Sequence, residues 1–107
     1  MNELIEKVLG PIGITVNYLE RVEGVFPQIV YNFKEYPNAN GDNKEETNKY
    51  DIYFNLYIED GITHTVKKIK DALKEAKFIK VVINSPIKFE GVNYYQVTMN
   101  YKKIMVV

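Results

Sequence analysis

The sequence predicts an α+β fold: a mainly antiparallel sheet of about four to five strands, with a short N-terminal helix and one longer helix packed on it. Three observations carry this expectation. Residues 48–59 alternate strictly, with Tyr50, Ile52, Phe54, Leu56 and Ile58 on one parity and Lys49, Asp51, Tyr53, Asn55, Tyr57 and Glu59 on the other. Successive side chains on a strand point to opposite faces, so this is a strand with one apolar face and one wetter face bearing tyrosines. Next, Ile62, Val66, Ile69, Leu73 and Ala76 recur at steps of four and three, which holds them on one side of a helix. Finally, Tyr95, Val97, Met99 and Tyr101 oppose Tyr94, Gln96, Thr98, Asn100 and Lys102, repeating the two-faced strand pattern near the C-terminus.

The other elements follow in order. Residues 2–9 form a short amphipathic helix, with Leu4, Ile5, Val8 and Leu9 as its stripe, Asn2 as a cap and Gly10-Pro11 as its stop. A helix this short is unstable alone in water, so it must dock on the sheet or a neighbour. Residues 14–22 alternate loosely as a first strand. Residues 28–35 alternate more cleanly after Pro27, which sits where a missing N–H does least harm. Asp60 is placed to cap the main helix, and residues 78–83 read as a strand with Ile79, Val81 and Ile83 on one side. Ile87 to Phe89 is a further short run before the turn at Glu90-Gly91.

Between the second and third strands, residues 36–47 are rich in turn formers and charge and have no apolar period. That is longer than a hairpin requires. The stretch reads either as a solvated loop or as a contact element that orders on assembly, with Asn40, Asp42, Lys44 and Glu45 as its candidate contacts.

At 107 residues the chain, 1–107, is expected to be a single α+β domain. Fourteen basic and fourteen acidic residues cancel, so no global field recruits nucleic acid or an anionic membrane. The absence of cysteine excludes disulfides and thiolate metal sites. No signal peptide and no apolar run of about 20 residues is present, which points to an aqueous, cytoplasmic setting.

Signals for chemistry are sparse. His64 is the sole histidine and lies off the helix stripe; Asp42, Glu45 and Glu46 lack the alternating oxygen ligands of a calcium loop. Ser85 precedes Pro86 without a nucleophile-elbow context, and the glycines are scattered singly, so no phosphate-cradling loop is expected. No catalytic residue, cofactor or metal is expected, and the chain is not expected to be an enzyme. Tyrosine is the enriched residue, with nine copies and no tryptophan. Tyrosine favours strands for structural reasons and is also enriched where proteins meet. Tyr53, Asn55, Tyr57 and Tyr94, all assigned to polar faces, are therefore the candidate interface residues.

The ordered pattern resembles a known family. The strand ending Ile29-Val30-Tyr31-Asn32-Phe33 leads through a polar loop to Tyr50-Asp51-Ile52-Tyr53-Phe54-Asn55-Leu56-Tyr57. The helix 69–78 and the closing strand 94–101 complete it. This succession is similar to the tail-completion, or tail-terminator, proteins of long-tailed bacteriophages, over almost the whole chain but without a catalytic signature. The resemblance implies a virion structural protein that caps the tail tube as a ring, usually of six subunits, and contributes to head–tail joining. Its implied partners are its own subunits, the tail-tube protein and a head-completion protein. Its implied location is the virion, with the host bacterial cytoplasm during assembly. The alternative from the residues alone is a small-ligand-binding α+β module with a pocket lined by tyrosines; a closed concavity around Tyr53, Tyr57 and Tyr94 would favour it.

Overall fold

The computed structural model describes residues 1–37 and 47–106. Its elements are α1 (Asn2–Leu9), a 3-10 turn (Gly10–Ile12), β1 (Thr15–Tyr18), β2 (Gln28–Pro37), β3 (Thr47–Ile58), α2 (Ile62–Glu75), β4 (Ile79–Ile83) and β5 (Tyr95–Val106). The strands form one five-stranded sheet in the order β1-β2-β3-β5-β4. β3 lies at its centre, antiparallel to β2 from Gln28↔Tyr57 to Pro37↔Asn48 and to β5 from Thr47↔Val106 to Ile58↔Tyr95. The fold is α+β, with a mostly antiparallel sheet.

Alternation decides which face is buried. Ile52, Phe54, Leu56 and Ile58 of β3 stand in register with Ile29, Tyr31 and Phe33 of β2 and with Tyr95, Val97, Met99 and Tyr101 of β5. Against this face pack Ile5 and Leu9 of α1, Ile69 and Leu73 of α2, and Phe78. Aromatic rings run across it: Tyr31 to Phe54 at 6.1 Å and Phe54 to Tyr101 at 5.9 Å between centroids. Burial of the Tyr31 and Tyr101 rings raises both phenol pKa values, and Tyr31 donates its hydroxyl proton to Asn2 Oδ1 at 3.1 Å. The opposite face carries no helix among the described residues.

Several local expectations are corrected. Asn2 is the first helical residue and serves Tyr31 rather than capping α1, whose N-cap is Met1. Gly10 ends α1 as its C-cap, as expected, but stays right-handed and opens the 3-10 turn; the chain reverses at Gly13, at φ 83°, a left-handed conformation suited to glycine. Gly61, at φ 67°, precedes α2 in the same way, which leaves Asp60 one residue too early to cap it. β1 is shorter than residues 14–22 and parallel to β2. Tyr36, Pro37 and Thr47 belong to strands, so the connection between β2 and β3 is shorter than expected; Asn40, Asp42, Lys44 and Glu45 lie outside the described residues. In β4 the register shifts between Lys80 and Val82, a bulge at Val81 that breaks the expected face of Ile79, Val81 and Ile83. Ile83 packs on the core while Ile79, Val81 and Val82 are exposed. Ile87 contributes a single bridge to Gln96 and no strand.

Leu73 is fully buried at the centre of the α2 stripe. Leu73→Ala is expected to destabilise the fold by roughly 2–5 kcal/mol, measured by urea denaturation. A loss below about 1 kcal/mol would mean that α2 is not the core's cover.

Candidate functional site

The open face of the sheet holds Tyr53, Asn55 and Tyr57 on β3, each half-buried, with Tyr94 immediately before β5. Register places Gln96, Thr98, Asn100 and Lys102 of β5 beside them, and Val30, Asn32 and Lys34 of β2 on the other side. These side chains satisfy one another. Gln96 Nε2 donates to Asn55 Oδ1 at 3.2 Å and Thr98 Oγ1 donates to the same oxygen at 3.2 Å. Asn100 Nδ2 donates to Asp51 Oδ1 at 2.8 Å, and the Tyr53 hydroxyl donates to Asp51 Oδ2 at 3.1 Å. The result is a hydrogen-bonded polar layer running across the two central strands.

Asp51 is the charged centre of that layer. The Asn100 amide foremost, then the Tyr53 hydroxyl and the Lys102 and Lys34 ammonium groups, hold its carboxyl below the ordinary value, against the desolvation that opposes them. The same bond raises the Tyr53 phenol. At the far end of the strands the Tyr50 hydroxyl donates to Glu35 Oε1 at 2.9 Å, which raises Tyr50 in turn.

Toward the other end, the connection of residues 19–27 lies over the open face. β1 and β2 are parallel, so the chain leaving Tyr18 must travel back to start β2 level with Thr15. The helices occupy the other face. Gln28, fully buried, ties this segment down: its Oε1 accepts from Val22 N at 2.9 Å, and its Nε2 donates to the carbonyls of Val22 and Val25. Arg21 then rests over the rings of both Tyr57 and Tyr94, at 4.6 Å from each centroid. Phe26 packs on Tyr94 at 4.9 Å.

The structure therefore brings Tyr57 and Tyr94 together, 6.0 Å apart in an edge-on pair, and engages them with the chain's own loop. Tyr53 and Asn55 sit further along the same face. Sequence reasoning missed Gln28, Arg21 and Phe26. A glutamine heading a strand after proline carries no period-two signal of burial, and the cation–π contact depends on the parallel return of the chain.

The clearest concavities lie elsewhere. One of about 750 Å³ runs between α1 and α2, past Leu4, Val8, Ile12 and Ala72. A second, about 400 Å³, lies between α2 and the end of β4. A third, about 250 Å³, is bounded by Phe26, Asp60 and His64. Tyr53, Tyr57 and Tyr94 line none of these three. Among the described residues no group of three or more histidines or carboxylates is arranged to hold a metal ion, and no helix is long and apolar enough to cross a membrane.

No family model and no curated protein matches the chain. Among solved structures, a chain of the virion of a native gene transfer agent particle is similar, with a TM-score of 0.50 at 10% identity. The match covers 94% of this chain and 84% of that one. At such identity the likeness is one of fold.

Two outcomes test this geometry. Gln28→Ala strands the Val22 amide and the Val25 carbonyl, and is expected to cost roughly 1–3 kcal/mol, with loss of the Arg21–Tyr57 nuclear Overhauser contacts; retained contacts would show that another group holds the loop. Because the Asp51 pKa is depressed on folding, its contribution is present above the unfolded value of about 3.9 and is lost as pH falls through the folded value. In Asn100→Ala the carboxyl is expected to titrate at higher pH by NMR, with a smaller acid-side loss of stability; an unchanged midpoint would assign the depression to the Tyr53 hydroxyl and the lysines.

Proposed function

We propose that this chain, acting as a single α+β domain, is a structural protein of a phage-type virion that works through protein–protein contacts and not as an enzyme. The observation that carries the proposal is the shared fold over nearly all of this chain and most of a chain from a gene transfer agent virion. The polar layer agrees with it: a broad sheet face of tyrosine and amide groups with satisfied hydrogen bonds suits an interface, where large side chains with polar tips contribute area without unpaired groups. The ligand-binding alternative loses support, since Tyr53, Tyr57 and Tyr94 spread over a sheet face and its covering loop. We place the chain at the tail end of the particle, capping the tube as a ring of its own subunits and contributing to head–tail joining.

Size-exclusion chromatography with light scattering, alone and with purified tail tubes as template, tests the reading. The expected result is an assembly several times the 12.5 kDa chain mass, or co-sedimentation with the tubes. A chain that stays monomeric over a concentration series and does not bind tubes would overturn it.

A further inference from the structure

Resting on that reading of the chain as a repeated subunit, we propose that neighbouring copies join head to tail, the β4 edge of one against the β1 edge of the next. β1 and β4 are the two terminal strands of the sheet. Backbone N–H and C=O groups on the outer side of a terminal strand are a template for another strand. Both edges also present apolar side chains to solvent. Ile79, Val81 and Val82 are exposed along β4; Tyr18, Leu19 and Val22 are exposed at and after β1.

Charge distinguishes the two edges and selects the occupant. Residues 62–91, which include α2 and β4, carry seven lysines against Asp71, Glu75 and Glu90. Residues 1–27, which include α1 and β1, carry Glu3, Glu6, Glu20 and Glu23 against Lys7 and Arg21. Arg21 is engaged with Tyr57 and Tyr94, Lys67 is paired with Asp71 at 3.1 Å, and Lys70 borders the concavity beside the end of β4. A molecule with zero net charge therefore carries its excess of lysine on the side of α2 and β4 and its excess of glutamate on the side of α1 and β1, each helix touching its own terminal strand. Pairing like edges sets lysine against lysine, whereas pairing unlike edges brings opposite charge around an apolar seam. The occupant that fits each edge is a second copy of this chain presenting its other edge.

The strand directions agree with this. β2 and β5 are each antiparallel to β3, β1 is parallel to β2, and β4 is antiparallel to β5. Continuing the sheet in one orientation sets β4 antiparallel to the neighbour's β1. Such a contact is heterologous, so successive copies close into a ring or extend as a helical array.

The natural chain has no cysteine, so introduced thiols report cleanly. Thr15→Cys and Val81→Cys proteins, each checked for folding by circular dichroism, are mixed and treated with a short bis-maleimide. The mixture is expected to give a covalent dimer containing one of each, and the double variant a ladder of dimers, trimers and larger species. Yield should fall at high salt, as screening weakens the charge term. Dimers from Val81→Cys alone, or no mixed dimer, would overturn the head-to-tail assignment. Light scattering on the same samples separates the two ideas. Oligomers without mixed cross-links would leave the subunit reading standing; the absence of both would remove the head-to-tail pairing, and the subunit reading with it if the chain also fails to bind tail tubes.

Discussion

The two-sided pairing of β3 is the constraint on which the rest of the structure depends. From Thr47 to Ile58 every residue has a partner on β5, and from Asn48 to Tyr57 every residue also has one on β2. Because side chains alternate, a slip of one residue in either ladder would carry Ile52, Phe54 and Leu56 to the open face and Asp51, Tyr53 and Asn55 into the core. The depth of the core, the seats of both helices and the composition of the open face are consequences of one register. α2, 14 residues long, spans about 21 Å; β3, 12 residues long, spans about 40 Å. The helix covers only part of the strand it packs on. Beyond it the far ends of β2, β3 and β5 rely more on cross-strand contacts such as Phe33 to Tyr50, 5.7 Å apart.

That division explains how much was legible in the sequence. β3, β5, α1 and α2 were readable because each buries one face, and a single buried face writes a period into the residues. The buried parity of β3 and the stripe of α2 are found as expected. What escaped has no period. The parallel pairing of β1 with β2 depends on the route of residues 19–27, which is held by Gln28 through side-chain bonds to the backbone. The bulge at Val81 breaks alternation in a strand too short to reveal the break. The helices keep the expected bounds closely, but their caps differ for a related reason. Gly13 and Gly61 take left-handed turns, and a residue-type rule for caps does not say where the backbone will turn.

The candidate site was partly legible. The alternation of β3 put Tyr53, Asn55 and Tyr57 on one face, and the structure keeps them there. It could not show that Tyr57 and Tyr94 share their rings with Arg21, an arrangement worth about 0.5–1 kcal/mol per contact at an exposed site. The contact orders a loop and leaves part of each tyrosine exposed. Aromatic side chains whose rotamers are held in advance have less freedom to lose in any contact, and for Tyr57 and Tyr94 Arg21 does the holding, joined at Tyr94 by Phe26.

Edges make a further demand. Sheet proteins ordinarily guard a terminal strand with charge, proline, a bulge or brevity. β1 uses brevity, with four residues. β4 has a bulge, but its residues are Ile-Lys-Val-Val-Ile, and its one lysine pairs in register with Tyr101. A bulge alone twists an edge without making it hydrophilic, so Val81 and Val82 remain as an apolar strip where a solitary protein would place charge. Apart from Lys80, the lysines that would serve as guards lie around the strip, on α2 and at Lys77 and Lys88. Charge in that position excludes other basic edges while leaving the strip open to an acidic one. An edge arranged in this way is selective more than it is protected.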